Sequence, residues 1–261
     1  MSHSRLQTAL ATGRPVWGGW VVGPTAIGPE EFARCGFDYV GIDTQHGYLD
    51  DADAAVMLRR LEQVPIAAAV RLPTADPAPI GRVLDAGADA VIIAMVESAE
   101  QAATAVAASR YAPVGMRSFG PLRPDLGSRP GELEGRAGVY VMIETVPAVR
   151  AIDEICEVPH LAGIYVGPAD LAISMGHELA EATSAPEMID TLARIQATAA
   201  AAGLVCGIHA GSGKIAARMA DMGYQMITLA SESQALRRGA TMELTEARGH
   251  AGTAGTRIGY S

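Results

Sequence analysis

Tyr39-Val40-Gly41-Ile42-Asp43, Ala67-Ala68-Ala69-Val70-Arg71-Leu72 and Ala90-Val91-Ile92-Ile93-Ala94-Met95-Val96 are short apolar runs separated by longer amphipathic segments. Each has the length of a strand and lacks the polar alternation of a strand with one wet face. That pattern predicts strands buried on both sides. It recurs outward in both directions, at Val16–Val22 before them and at Val139–Glu144, Gly163–Gly167, Leu204–His209 and Met226–Ala230 after them. The segments between carry apolar residues at helical spacing, as in Val56, Leu58 and Leu61, or Ile189, Leu192 and Ile195. Asp50, Ser98 and Pro147 supply helix-opening chemistry where helices should begin. Eight strands alternating with helices predict an α/β chain folded as a (β/α)8 TIM barrel of one domain, residues 1–248. The alternative, an open doubly wound sheet, ordinarily carries GxGxxG after a strand, and the sequence has none. Pro113–Gly138 reads as one long irregular loop, and Gly249–Ser261 as a C-terminal tail or arm.

The chain has 261 residues with 29 acidic and 20 basic side chains, a formal net charge of −9. That balance opposes nucleic-acid binding, which needs a basic footprint. The longest non-polar stretch, Ala199–Ile208, is interrupted by Gly203 and Gly207 and is too short to cross a membrane. Three scattered cysteines build no disulfide framework, and Met1–Arg14 has no apolar signal-peptide core, so a cytoplasmic location is expected.

In a barrel, chemistry is carried at the C-terminal ends of the strands. Polar residues at those ends are Asp43, Gln45 and His46 after the second strand, Arg71 on the third and Glu144 on the fifth. Gly167-Pro168-Ala169-Asp170 follows the sixth strand, and His209 ends the seventh. Two carboxylates without cysteine or histidine at metal spacing make a hard oxygen site suited to Mg²⁺ or Mn²⁺. Arg71 offers a fork for a substrate carboxylate, and His46, oriented by Asp43, is a general base near neutral pH. The set fits proton abstraction and carbon–carbon chemistry on a 2-oxo acid. His209 reads as a structural hydrogen-bonding group. The sole lysine, Lys214, should open the helix after the seventh strand as a surface residue, not project from a strand as a Schiff-base lysine does.

At these residues the sequence resembles the HpcH/HpaI aldolase family, metal-dependent class II pyruvate aldolases. The resemblance rests on residues 37–47 (Phe37 to Gly47, including Asp43-Thr44-Gln45-His46), Val70-Arg71-Leu72-Pro73, Leu84-Asp85-Ala86-Gly87-Ala88, Tyr111 to Ser118, Ile143-Glu144-Thr145 and Gly167-Pro168-Ala169-Asp170-Leu171. It implies a divalent metal (Mg²⁺, Mn²⁺ or Co²⁺) on Glu144 and Asp170, and an Asp43–His46 catalytic pair. It further implies substrate contacts from Arg71, Gln45, Met142, Ala169 and Arg117. The implied reaction is reversible cleavage of 4-hydroxy-2-oxo acids to pyruvate, or a similar 2-oxo acid, plus an aldehyde. The implied assembly is a homo-oligomer, a hexamer built as a trimer of dimers with a swapped C-terminal helix. The sequence departs from the family pattern at Gln45, where Glu is usual, and at Met142, where Gln is common. An acyl-CoA lyase of the citrate lyase-β or malyl-CoA type is the alternative, with Arg110, Arg123, Arg129 and Arg136 as cations for CoA.

Overall fold

A computed structural model describes residues 3–254. The strands are β1 (Val16–Val21), β2 (Tyr39–Asp43), β3 (Ala67–Leu72), β4 (Ala90–Ile93), β5 (Gly138–Ile143), β6 (Gly163–Val166), β7 (Val205–His209) and β8 (Met226–Ser231). They close in sequence order into one parallel barrel, with β8 paired back onto β1. Helices connect successive strands, so this is the α/β TIM barrel expected. Asp50 and Ser98 cap the helices Asp51–Arg60 and Ala99–Ser109 through their side chains. Pro147 lies in the first turn of Val146–Arg150, which Thr145 caps.

Alternation along each strand separates two apolar layers. Residues such as Val40, Ile42, Val70, Val91, Ile164 and Ile208 face outward and pack under the helices. Leu6, Trp20, Tyr39, Ala67, Ala69, Ile92, Tyr140, Met142 and Tyr165 fill the interior. Large and small residues interlock there. A Cβ on Gly41 would lie 2.1 Å from the Trp20 ring, and one on Gly18 2.1 Å from Tyr39. The absence of side chains at these two positions is what admits the aromatic rings. Tyr39 and Tyr165 each share a hydrogen bond with the buried Thr228 hydroxyl, at 2.8 and 2.7 Å, closing the polar valences of the interior.

Two expectations change. The segment from Pro113 to Gly138 is not wholly irregular: it contains a short turn at Pro124–Leu126 and the helix Pro130–Arg136. Pro130 starts that helix because its ring is pre-set for a first turn. The final helix, Glu232–Ala254, runs six residues into the tail expected to begin at Gly249; the rest of that tail lies outside the described residues. Thr241 to Gly249 are exposed along its length. No helix of the described residues is long and apolar enough to cross a membrane.

Candidate active site

The interior alternation ends in polar groups at the C-terminal rim. On β2 it runs Tyr39, Gly41, Asp43, and on β3 it runs Ala67, Ala69, Arg71. The β2–β3 register sets Asp43 directly beside Arg71. Arg71 donates from Nε to Asp43 Oδ1 at 2.8 Å, and its Nη2 closes the second arm on Oδ2. Trp20 Nε1 donates to the same Oδ2 at 3.0 Å, while the guanidinium carbon stands 5.4 Å over the Trp20 ring. Burial raises the Asp43 carboxyl, but the hydrogen bonds and charge of Arg71, with Trp20, outweigh it and hold the group below the ordinary carboxylate range. Asp43 is therefore an anion at neutral pH.

Asp43 Oδ1 also accepts the backbone N–H groups of Gln45 and His46, at 3.0 and 3.1 Å. Thr44 anchors the same turn, donating from N (3.1 Å) and Oγ1 (2.6 Å) to the Arg71 carbonyl. The orientation expected of Asp43 thus runs through the backbone. Asp43 fixes the turn that carries His46 and makes no hydrogen bond to the imidazole, because Arg71 and Trp20 occupy its oxygens. His46 is exposed on the cavity wall. The expectation for Arg71 changes: one edge of its fork is committed to Asp43, leaving Nη1 and the second Nη2 hydrogen for a substrate.

Glu144 follows β5 and is buried. Its Oε1 accepts the N–H of Met95 at 2.7 Å; Met95 stands at the end of β4 with a left-handed φ of 57°. Burial raises the Glu144 carboxyl, the Met95 N–H opposes that rise, the neighbouring Asp170 charge adds to it, and Arg71 opposes it. Asp170 lies in the first turn of the helix Pro168–Ser174 and makes no ion pair among the described residues. Gly167 separates the two acids: a Cβ there would lie 2.5 Å from Glu144 Oε2 and 3.0 Å from Met142 Cε. Two carboxylates that repel each other, one buried with no cationic hydrogen-bond partner, are a donor set that fits a hard divalent cation completed by water and substrate oxygens. No third His, Cys, Asp or Glu joins them among the described residues.

A cavity of about 300 Å³ opens over these groups, the lower end of small-molecule sites. Asp43, His46, Arg71, Met142, Ala169 and Asp170 line it, all of them sequence candidates. Gln45 is half-buried beside it, with an Oε1 that is buried and unbonded among the described residues. Arg117 is placed elsewhere. It is buried, pairs with Asp85 at 2.6 Å and lies 4.8 Å from the Tyr111 ring centroid, so it does not line this cavity. Trp20, Tyr165, His209 and Ser231 line the cavity and were not assigned to the site from sequence, although His209 had been placed on the rim. Inward alternation on β1, β6 and β7 marks the first three; Ser231 is hidden by a bulge. The His209 ring makes no hydrogen bond among the described residues and instead stands nearly perpendicular to Trp20, centroids 5.3 Å apart.

Lys214 is exposed in the first turn of Gly213–Asp221, as expected. Of the four arginines named as cations for CoA, three are engaged: Arg123 with Asp125, Arg129 with Glu132, and Arg136 with Asp89.

Comparison with known proteins agrees with this fold. A hydroxypyruvate/pyruvate aldolase of Rhizorhabdus wittichii is 36% identical over 94% of this chain and 99% of its own length. A 4-hydroxy-2-oxo-heptane-1,7-dioate aldolase of Klebsiella pneumoniae is 31% identical over 91% of both chains. The crystal structure of an HpcH/HpaI aldolase/citrate lyase family protein from Burkholderia cenocepacia superposes with a TM-score of 0.83 at 29% identity, covering 93% of this chain and 98% of that one. The family profile itself matches residues 17–239, and the chain belongs to the HpcH/HpaI aldolase/citrate lyase family.

Proposed function

We propose that this chain is a divalent-metal-dependent aldolase, a carbon–carbon lyase that reversibly cleaves 4-hydroxy-2-oxo acids to pyruvate or a similar 2-oxo acid plus an aldehyde. The observation that carries the reading is the convergence of the Asp170 carboxylate, the Arg71 guanidinium and the His46 imidazole around one cavity, with the buried Glu144 carboxylate beside Gly167 of its wall. The aldolase names of the relatives in Rhizorhabdus and Klebsiella support it.

Glu144 and Asp170 would hold the metal. When bound, Mg²⁺, Mn²⁺ or Co²⁺ supplies a Lewis acid for negative charge developing on the 2-oxo group. Arg71, held by Asp43, offers its free edge to the oxygens of the 2-oxo acid and so fixes the donor against rotation. His46 accepts the proton of the C4 hydroxyl as the C3–C4 bond breaks and the aldehyde departs, and returns it in the synthetic direction. Met142 and Ala169 shape the wall. A cytoplasmic enzyme assembled as a hexamer is part of the same reading, the location supported by the scattered cysteines and the N-terminal composition, the hexamer by the resemblance alone.

The test is a panel of 2-oxo acid donors against aldehydes, each run after chelation and after returning Mg²⁺, Mn²⁺ or Co²⁺. Aldol product from pyruvate that disappears on chelation and returns with metal is the expected result. Full turnover after exhaustive chelation overturns the metal assignment, and turnover with acyl-CoA esters only overturns the substrate class.

A further inference from the structure

The cavity has two unlike sectors. The side of β3, β5 and β6 carries the charges, Arg71 and Asp170, with Glu144 beneath Gly167. The side of β7, β8 and β1 is neutral: His209, Ser231, Trp20 and Val22. A 2-oxo acid that reaches both Arg71 and the two carboxylates occupies the charged side. The neutral side therefore faces whatever the substrate carries beyond the 2-oxo carboxylate.

The polar groups of the neutral side are accounted for, with one exception. Trp20 Nε1 is bonded to Asp43. The Ser231 hydroxyl accepts the N–H of Gln234 at 3.2 Å and shares a 3.0 Å hydrogen bond with Ser233. Only the His209 ring has no hydrogen bond among the described residues, although it is partly buried and lines the cavity. Its position is nevertheless defined. Trp20 is pinned by Asp43 and stacked against Tyr165 at 6.0 Å, and the His209 ring packs at 87° to that fixed ring.

We propose that His209 is a specificity-determining residue whose imidazole hydrogen-bonds a hydroxyl of the substrate on the β7–β8–β1 side of the cavity. Burial, then the neighbouring Arg71 charge, lower its pKa to about 4 against a weaker opposing pull from Asp43, so the ring is neutral under working conditions. A neutral imidazole presents one donor and one acceptor, which matches a hydroxyl and gives a carboxylate tail no cation to pair with. A group that depends on such a bond leaves a buried polar atom unmatched when the partner lacks the hydroxyl, and this is how discrimination arises. The proposal rests on the aldolase reading. The hydroxyl has two sources, C3 of a hydroxylated donor or the carbon next to the carbonyl of the aldehyde.

Three pairings separate them: pyruvate with acetaldehyde as the common reference, hydroxypyruvate with acetaldehyde, and pyruvate with glycolaldehyde. Each is measured as kcat/KM for the wild type, His209→Leu and His209→Gln, with folding checked by circular dichroism. In His209→Leu the preference for the hydroxylated partner in one of the two comparisons should fall about fivefold to tenfold. His209→Gln should restore part of it; each preference is read as a ratio to pyruvate with acetaldehyde in the same variant, so a loss common to every pairing cancels. Movement of the donor ratio places the hydroxyl on C3, and movement of the aldehyde ratio places it on the acceptor. Equal losses in every pairing, or no change in either ratio, overturn the proposal by leaving His209 a packing residue. A wild type inert toward every pairing removes the aldolase reading itself, and the proposal with it.

Discussion

Adding one methyl group at Gly167 tests the placement of the metal-binding acids without touching either of them. The Cβ of Gly167→Ala would stand 2.5 Å from Glu144 Oε2, 3.0 Å from Met142 Cε and 3.1 Å from Glu144 Cβ. All three contacts are inside ordinary van der Waals range, and the softest response is rotation of the Glu144 head. That rotation strains the 2.7 Å bond from the Met95 N–H to Oε1. Overpacking typically costs about 1–3 kcal/mol, and a charge-assisted hydrogen bond contributes about 1.5–3 kcal/mol. Partial relief by the flexible carboxylate sets the expected loss near 2 kcal/mol, a drop in Tm of roughly 4–8 °C for a chain of this size. The effect on rate should be larger in proportion. A displacement of about 1 Å in a positioning group commonly lowers turnover on the order of 100-fold. The assay is kcat/KM for aldol cleavage well below Tm, repeated over a metal titration. Activity should fall about 100-fold, with its midpoint shifted to higher metal concentration. Glu144→Asp placed on Gly167→Ala shortens the crowded side chain and should recover part of the lost Tm. A Gly167→Ala enzyme with wild-type rate and metal response would refute the reasoning, since the carboxylate it crowds could then not be the one that works.

Asp43→Asn leaves Arg71 buried against a neutral partner, so unfolding free energy at pH 7 should fall by about 3 kcal/mol. Because the folded pKa of Asp43 lies below its ordinary 3.8, the difference should hold from neutral pH down to about that value and vanish as pH falls through the folded pKa, as read by denaturant melts across pH. His46→Ala should lower kcat about 10²–10⁴-fold while the Tm stays within a degree or two, His46 being exposed; a near-wild-type rate in steady-state assays would move the base elsewhere. Borohydride added during turnover should leave no adduct on Lys214, checked by intact mass, because that residue is exposed on the helix after β7 and does not line the cavity.

What could be read from the sequence, and what could not, divides along one physical line. The strands were legible because burial on both faces leaves unbroken apolar runs, and seven of the eight agree with the structure to within a residue at each end. β4 stops at Ile93, three residues earlier than its apolar run, because Met95 turns to a left-handed φ and gives its N–H to Glu144. A site group ended the run and left no trace in hydropathy. Ser231 was missed for a related reason: Gly18 pairs with Thr228 but Gly19 with Ala230, so Leu229 is an extra residue that shifts the alternation by one. Counting by twos from Thr228 puts Ala230 on the inside and Ser231 out. Arg117 was drawn toward the site by its motif, yet Asp85, far away in sequence, holds it off the cavity wall.

The sharpest case is Asp43. Along the chain its nearest chemical neighbour is His46, three residues on, and sequence reading has Asp43 orient that residue. Across the sheet its neighbour is Arg71, brought alongside by the β2–β3 register. The cross-strand pairing takes the carboxylate oxygens, and the local partner receives only backbone acceptance. The acid that holds the base in place is thus the same acid that orients the guanidinium. A bidentate pair with an arginine of fixed fork geometry favours the cross-strand arrangement over a single bond to a mobile, exposed ring. The consequence reaches function: an Arg71→Ala enzyme loses a substrate contact and also leaves Asp43 buried without its cation, free to reorient the turn of His46. Arg71→Lys does not repair this, because one ammonium cannot occupy both carboxylate oxygens and still present an edge to the 2-oxo acid. Donor binding and proton transfer are therefore coupled through a single carboxylate.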